Sequence, residues 1–397
     1  MRTIARIACD ALSSGSARTV DPPAAGRTSL APVPWHSGRE GRGKVPRAAA
    51  VLAAILAVVA IAAPARAQPA PVLEAAATAA ARGDSERAIG IYTEAIEGGR
   101  LSHADRARAL TGRGVVHGNA GAYDRAIEDY DQALAVRPRH APAFFYRGNA
   151  YLGKGEHDRA IEDYDAATRL DPAHAMAFHN RGLAWRRKGE NARAIADYDR
   201  AIALGGLDRT RRAVAYNNRG IVHAEEGDYE SALQDYDNAL RLAPDHGAAR
   251  FNRGRTLFYL GDFAAAVDDF AVGADEEPRD PYNAIWLYLA SARTGAGARS
   301  RLAERAGRLD PREWPTPAVH LFLARMTPEE LLALAADADP AAARARRCQA
   351  YFYLGQRALV GGDKAEAVRM FQAALASGES YLAEFSGAEA ELGRLGF

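Results

Sequence analysis

From residue 84 to residue 278 the apolar positions follow a helical period that restarts at a near-constant interval. The segments AYDRAIEDYDQALAVRP (122–138), EHDRAIEDYDAATRLDP (156–172), DYESALQDYDNALRLAP (228–244) and DFAAAVDDFAVGADEEP (262–278) are versions of one unit. Anchored on one alanine per unit, the series runs Ala88, Ala126, Ala160, Ala194, Ala232 and Ala266, with separations of 38, 34, 34, 38 and 34 residues. A Gly stands five residues before each anchor, from Gly83 to Gly261. An aromatic stands four residues after (Tyr92, Tyr130, Tyr164, Tyr198, Tyr236, Phe270) and a small residue seven after. Positions four and seven apart share a helix face, so each unit predicts a helix with one alanine-and-aromatic stripe.

The punctuation predicts a second helix in every unit. The Gly before the anchor ends the first helix in a left-handed conformation, and Asp84, Asp228 and Asp262 are placed to cap the next. A second Gly, twelve residues before most anchors (Gly114, Gly148, Gly182, Gly220, Gly254), puts no side chain where the two helices meet. Pro138, Pro172, Pro244 and Pro278 end the unit. The two junctions without Pro, at Gly98-Gly99 and Gly205-Gly206, are those followed by four extra residues, predicting a longer loop or helix there. No unit of this size buries its apolar face alone, so the units must stack.

This pattern resembles the tetratricopeptide repeat (TPR) family. The resemblance implies an all-α, TPR-type helical-hairpin solenoid, a right-handed superhelix, with six units over 69–280. After 280 the spacing degrades into degenerate helix pairs (281–345). There 282–293 and 315–325 read as amphipathic helices, and Thr327-Pro328-Glu329-Glu330 opens another. A clear unit returns within 346–397, where Gly355, Gly362, Ala367, Phe371 and Ala374 keep the spacing. A C-terminal capping helix follows, with Leu382, Phe385, Ala388 and Leu392 on one face. DPYNAIWLYLA (280–290) and AYFYLGQRALVGGDKAEAVRMFQAALA (350–376) are similar to the NlpI-type bacterial TPR lipoproteins. That narrower resemblance implies an adaptor for a periplasmic protease or peptidoglycan hydrolases, but the lipid-acceptor Cys of that type is missing.

The first 67 residues are of a different kind. Residues 1–47 are rich in Ser, Gly, Pro and Arg without apolar periodicity, so a disordered preamble is expected. Residues 48–65 carry no charge, and Ala65-Arg66-Ala67 follows as a small-x-small cleavage site. This is a secretory signal, predicting cleavage after Ala67 and a periplasmic product. The alternative is a retained inner-membrane anchor. The length of the preamble also suggests a translation start near Val45.

Charge changes the picture once the leader is set aside. The chain of 397 residues has 51 Lys and Arg against 50 Asp and Glu, a net +1. Nine basic and three acidic side chains lie in residues 1–67, so the remaining 330 carry 42 basic and 47 acidic, a net −5. A mildly acidic protein does not suit a nucleic-acid partner. Two cysteines, Cys9 and Cys348, exclude a disulfide framework.

Candidate chemistry is sparse. Gly148–Gly155 nearly spells a phosphate loop, but Gly155 stands where Ser or Thr would hold magnesium, and the repeat already explains the glycines. His174 and His179 are five apart, off the spacing that puts two ligands on one helix face. No catalytic constellation, cofactor site or metal site is expected, although an enzyme with a cryptic site in 282–345 is the rival from another class. Two ladders remain: Arg113, Arg147, Arg181, Arg219 and Arg253, and Asp129, Asp163, Asp197, Asp235 and Asp269. They read as a repeated ion pair between helices, with a ligand-facing charged surface as the alternative.

The resemblance also implies where a partner would bind, since the first helix of each TPR unit lines the concave groove. The groove positions here are Phe145, Tyr146 and Asn149; His179, Asn180 and Arg186; Asn217 and Asn218; and Phe251, Asn252, Arg255 and Tyr259. Asn180, Asn218 and Asn252 fall on one rung, able to donate to and accept from an extended peptide backbone. The other reading is that these asparagines bond only to neighbouring helices. Pro142, Met176, Val214 and Ala248 replace the lysines of a carboxylate-holding groove. The expected role is therefore a non-enzymatic scaffold of the bacterial cell envelope that binds other proteins or peptide segments. It would touch a membrane only if the signal segment is retained, and is compatible with a homodimer.

Overall fold

The computed structural model of the chain describes residues 71–397 apart from Ala296. The preamble, the apolar run and the Ala67 cleavage site lie outside the described residues. These form nineteen helices and no strand. The first twelve are paired: α1 (Pro71–Ala81) with α2 (Ser85–Glu97), α3 (His103–Asn119) with α4 (Tyr123–Val136), and α5 (Ala141–Lys154) with α6 (His157–Leu170). Then come α7 (Ala175–Arg187) with α8 (Asn191–Ala203), α9 (Arg209–Glu225) with α10 (Tyr229–Leu242), and α11 (Gly247–Leu260) with α12 (Phe263–Glu276). Each pair packs on the next, with first helix against first helix along the inner side.

The joint within a pair is the one the spacing predicts. A Cβ built on Gly148 would lie 2.8 Å from the Tyr164 ring, so only glycine lets α5 approach α6 this closely. Ala160 and Ala167 flank the ring at zero exposure. Gly155, with φ of 79°, closes α5 in the left-handed region, where its backbone N–H donates to Leu152 and Tyr151 carbonyls. Asp84, Asp228 and Asp262 accept from the backbone N–H three residues on, as N-caps should. The four extra residues at Gly98-Gly99 and Gly205-Gly206 go mainly into longer first helices. α3 and α9 have 17 residues, against 13 or 14 in α5, α7 and α11.

Beyond α12 the architecture changes. α13 (Pro281–Thr294), α14 (Ala298–Ala306), α15 (Thr316–Phe322) and α16 (Pro328–Leu334) lead to a long α17 (Pro340–Val360), then α18 (Lys364–Leu375) and α19 (Ala383–Leu395). α13 is not amphipathic as its sequence suggested. Ten of its fourteen residues, Pro281 and Asn283–Ser291, are buried, because α11, α12, α14, α15 and α17 surround it. The segment expected over 315–325 is also buried rather than two-faced, and its helix stops at Phe322. α16 opens on a full capping box between Thr327 and Glu330. α17 and α18 repeat the joint of the earlier pairs, with a Gly355 Cβ falling 2.5 Å from the Phe371 ring. α19 does more than cap: it packs on α17 and α18 and also reaches back to α11. Cys348 is buried inside α17.

Candidate functional site

Five arginines on the first helices meet five aspartates on the second helices. Arg147 donates through Nε and Nη2 to both oxygens of Asp163 at 2.8 and 2.7 Å, and Arg181 does the same to Asp197 at 2.8 and 2.6 Å. Arg113–Asp129, Arg219–Asp235 and Arg253–Asp269 repeat the arrangement. The remaining guanidinium nitrogen turns to the preceding unit, where Arg147 meets Asp131, Arg181 meets Asp165, Arg219 meets Asp199 and Arg253 meets Asp237. Arg113, next to the first unit, donates instead to Thr93 Oγ1 at 3.0 Å. The ladder is therefore architectural, and each arginine ties two units together. The second carboxylate was missed in the sequence, although Asp-Tyr-Asp recurs at 129–131, 163–165, 197–199 and 235–237 and is the signal that would have found it.

Burial pushes the Asp163 and Asp197 carboxyls above the ordinary range in spite of their arginines, while the hydrogen bonds to those aspartates raise Arg147 and Arg181 further.

On the inner side the expected groove residues divide. Asn149 and Asn180 are half-buried and bonded together, Asn180 Nδ2 donating to Asn149 Oδ1 at 2.8 Å, while the Tyr164 hydroxyl donates to the same oxygen. Asn218 is half-buried and accepts a long bond from Asn217. Tyr146 is half-buried, its ring 5.1 Å from Phe145 and 6.3 Å from Tyr130. Arg186 donates to both oxygens of Glu225 at 2.9 and 3.3 Å across α7 and α9. Glu225 was not foreseen, because nothing in its own unit marks it as a partner.

Five expected groove residues, Phe145, His179, Asn217, Asn252 and Tyr259, are buried instead of facing solvent. Asn252 is 1% exposed, donates to Asn217 Oδ1 at 2.9 Å and accepts from Arg255 at 2.8 Å. The rung Asn180–Asn218–Asn252 is thus not uniform: its last member is enclosed by α9 and α11. His179 is buried beside Tyr198, and burial depresses it to about 4, which keeps the imidazole neutral. Tyr259 is buried because α19 covers it, its hydroxyl donating to the Ala383 carbonyl at 2.7 Å.

The cover over α11 is built from buried polar groups. Glu391, 1% exposed, accepts from Arg293 at 2.6 Å, from Gln356 at 3.0 Å and from Arg394. Arg394 also donates to the Tyr259 carbonyl at 2.7 Å, satisfying the open end of α11. Tyr353 donates to buried Glu384 at 2.8 Å. At the centre the Trp286 ring lies 5.4 to 6.5 Å from the rings of Phe251, Phe258, Tyr259, Phe270 and Phe352. The C-terminal helix α19 therefore covers the end of α11 at Tyr259, while Phe251 and Arg255 of the same helix stay half-buried.

Elsewhere, Lys154 of the near-phosphate loop is engaged by Asp124 and Glu156 at 2.7 and 2.9 Å. Burial pushes the Cys348 thiol up to about 11, away from nucleophile chemistry. Among the described residues no group of three or more His, Cys, Asp or Glu is placed to hold a metal ion.

A stack of paired, repeated helices defines a repeat-protein scaffold. Tetratricopeptide-repeat family models match residues 73–142, 114–175 and 145–208, and a second such model matches 220–284, so the chain belongs to the tetratricopeptide-repeat family. As such it is a protein-interaction scaffold, whose repeats serve to hold protein or peptide partners. Among solved structures it is similar to MamA, at 27% identity over 41% of this chain and 94% of that one, with a TM-score of 0.38. It is also similar to YrrB, described as a TPR protein with an unusual peptide-binding site, at 23% identity over 49% and 95% of the two chains, with a TM-score of 0.41. PilF of Pseudomonas aeruginosa is 19% identical over 56% and 96%, with a TM-score of 0.48.

Proposed function

We propose that the chain is an exported scaffold of the bacterial cell envelope that binds a partner segment in the open inner groove from α5 to α9. The observation that carries the groove reading is the contrast along the inner face. Tyr146, Asn149, Asn180, Arg186 and Asn218 keep part of their surface in solvent, whereas Phe145, His179 and Asn217 on the same helices, and Asn252 and Tyr259 on α11, are buried. Half-exposed asparagines offer donors and acceptors to an extended backbone, and Tyr146 supplies an apolar anchor.

Export rests on the sequence of residues 48–67, the uncharged run followed by Ala65-Arg66-Ala67. Residues carried past that site would begin at Gln68. N-terminal sequencing of the chain recovered from a periplasmic extract tests this: a start at Gln68 is expected, and a membrane-bound chain retaining Ala48–Ala65 would overturn it. For the groove, affinity capture with wild type and a Tyr146→Ala/Asn180→Ala/Asn218→Ala variant is decisive. The variant is expected to lose the partners that wild type retains, and equal retention by both would overturn the assignment.

A further inference from the structure

The two edges of the helix-pair array carry different charge. Helices within a pair run antiparallel, so one edge is made where a second helix ends and the next first helix begins, at residues 133–144, 167–178, 200–212 and 239–250. The other edge is made by the turns within pairs, at 116–126, 151–160, 184–194 and 222–232. The four segments of the first edge hold nine Arg against three Asp, while those of the second hold seven Lys and Arg against eight Asp and Glu. A chain whose residues after 67 sum to −5 thus presents one strip with a net of +6. The junctions on either side of it, 94–106 and 273–284, carry more acidic than basic side chains, which gives the strip two ends.

The charge of the strip is not neutralised from within. Arg137, Arg139 and Arg169 are exposed and make no side-chain hydrogen bond or ion pair among the described residues. Arg209, Arg212 and Arg250 donate to the Leu242, Leu207 and Pro244 carbonyls, which satisfies chain ends and leaves each guanidinium its full charge. The Arg209 bond also joins the third segment to the fourth along the edge. Among the described residues, Arg211 alone of the nine meets a carboxylate, Asp208 at 2.6 Å, and those side chains are 40% and 53% exposed. Distance isolates the strip as well. A helix of 14 residues, the length of α4, α6 and α10, is about 21 Å long, twice the screening length of about 10 Å at 0.1 M salt. A surface lying on the strip therefore meets its local charge ahead of the net charge of the molecule.

We propose that this arginine strip seats the scaffold on an anionic lipid surface, its guanidiniums meeting lipid phosphates across four successive junctions. The strip lies on an edge and not on the inner face, so the proposal does not depend on what the groove holds. The positive charge is spread over four loops instead of gathered at one point. That suits a fluid field of headgroups, which supplies a phosphate wherever an arginine falls and attracts each basic side chain near it. A folded acidic partner would have to match the row carboxylate by carboxylate. A nucleic acid is disfavoured because the strip exposes no ring for base stacking: its two aromatics, Phe144 and Phe178, are half-buried under Arg147 and Arg181. The helices run from edge to edge, so with the strip on a bilayer they stand toward the membrane normal and the inner face stays open at the side.

The test is cosedimentation of the full-length chain with vesicles of phosphatidylglycerol or of phosphatidylcholine. Binding to the phosphatidylglycerol vesicles alone is expected at about 0.1 M salt, with loss at about 0.5 M. Arg137→Gln/Arg139→Gln/Arg169→Gln removes the three unpartnered arginines and is expected to weaken that binding about a hundredfold, roughly fivefold for each arginine at the surface. Arg125→Gln/Arg159→Gln/Arg193→Gln makes the same charge change on the other edge and is expected to leave binding within about twofold. Circular dichroism melts establish that both variants fold. Equal binding to the two kinds of vesicle, which insertion of the uncharged run 48–65 alone would produce, overturns the proposal. So does an equal loss in the two variants, since net charge and not the strip would then govern. Preference for a short DNA duplex or for polyglutamate over the anionic vesicles in competition also overturns it.

Discussion

The two ends of the array solve one packing problem in opposite ways. From α1 to α10 the apolar contacts divide into several separate clusters, one spanning α1 to α5 and the others smaller, some centred on a ring such as Tyr164 or Tyr236 and some built of alanine and leucine. The units are tied by polar side chains, an arginine between two aspartates at each junction except the first, where Arg113 joins Asp129 to Thr93. From α11 to α19 a single apolar cluster runs from Phe258 to Leu392, and the ladder stops with Arg253, because Leu287 stands where α13 would need the next arginine. Local joints with polar ties leave the inner face open. A shared apolar centre brings α19 over the end of α11.

The largest expected effect falls on the closed end. Trp286→Ala removes the ring on which five aromatic neighbours converge, and is expected to cost about 4 kcal/mol in chemical denaturation. It should unfold α11–α19 ahead of α1–α10, visible as a split in hydrogen-exchange protection. Uniform loss across the chain would erase the distinction between the two ends.

Next comes the ladder. Asp197→Ala strands the half-buried Arg181 and is expected to cost about 3 kcal/mol, with protection lost first around α7 and α8. A double-mutant cycle of Arg181→Ala with Asp197→Ala should give a clearly non-additive result, and additivity would mean that the pair contributes nothing of its own.

Acid sharpens the contrast further. His140 and His179, both in the open half, are held neutral by burial with values near 4, well below the ordinary 6.5. A depressed histidine means that the unfolded chain binds more protons, so their stabilisation is complete above pH 6.5 and is lost as pH falls toward 4. Between pH 6.5 and 5.5 the loss is about 1 kcal/mol for each histidine. A His179→Phe variant should show a shallower decline, measured as the denaturation midpoint against pH. The smallest effect is expected from Asp165→Ala. This carboxylate is 39% exposed and only assists an arginine already held by Asp197, so under about 1 kcal/mol should be lost.

The repeat itself was legible in the sequence because its constraints are local. Gly148 beneath Tyr164, Gly155 at a left-handed turn and Asp228 at a cap each announce themselves within one unit. What could not be read there is contact between units that do not repeat. Asn252 looked like Asn180, since the two hold equivalent positions, and only the approach of Asn217 and Arg255 buries it. Tyr259 looked like a groove aromatic because nothing near residue 259 announces that Ala383 will cover it, 124 residues later. The run 282–293 looked two-faced because tyrosine and asparagine imitate a polar side, while five surrounding helices leave that helix none. Glu225 and Asp165 were missed for a related reason: their partners belong to other units.

The arginine ladder has a consequence for the length of such a chain. Arg147 stands 16 residues from Asp131 and 16 residues from Asp163, and Arg181 is spaced identically between Asp165 and Asp197. Excising or duplicating 34 residues in this stretch would join each arginine to carboxylates of the right kind at the right spacing. The open half therefore behaves like a ruler whose divisions can be added or removed. The end sealed around Trp286 admits no such edit, so any change in reach must come from the other side.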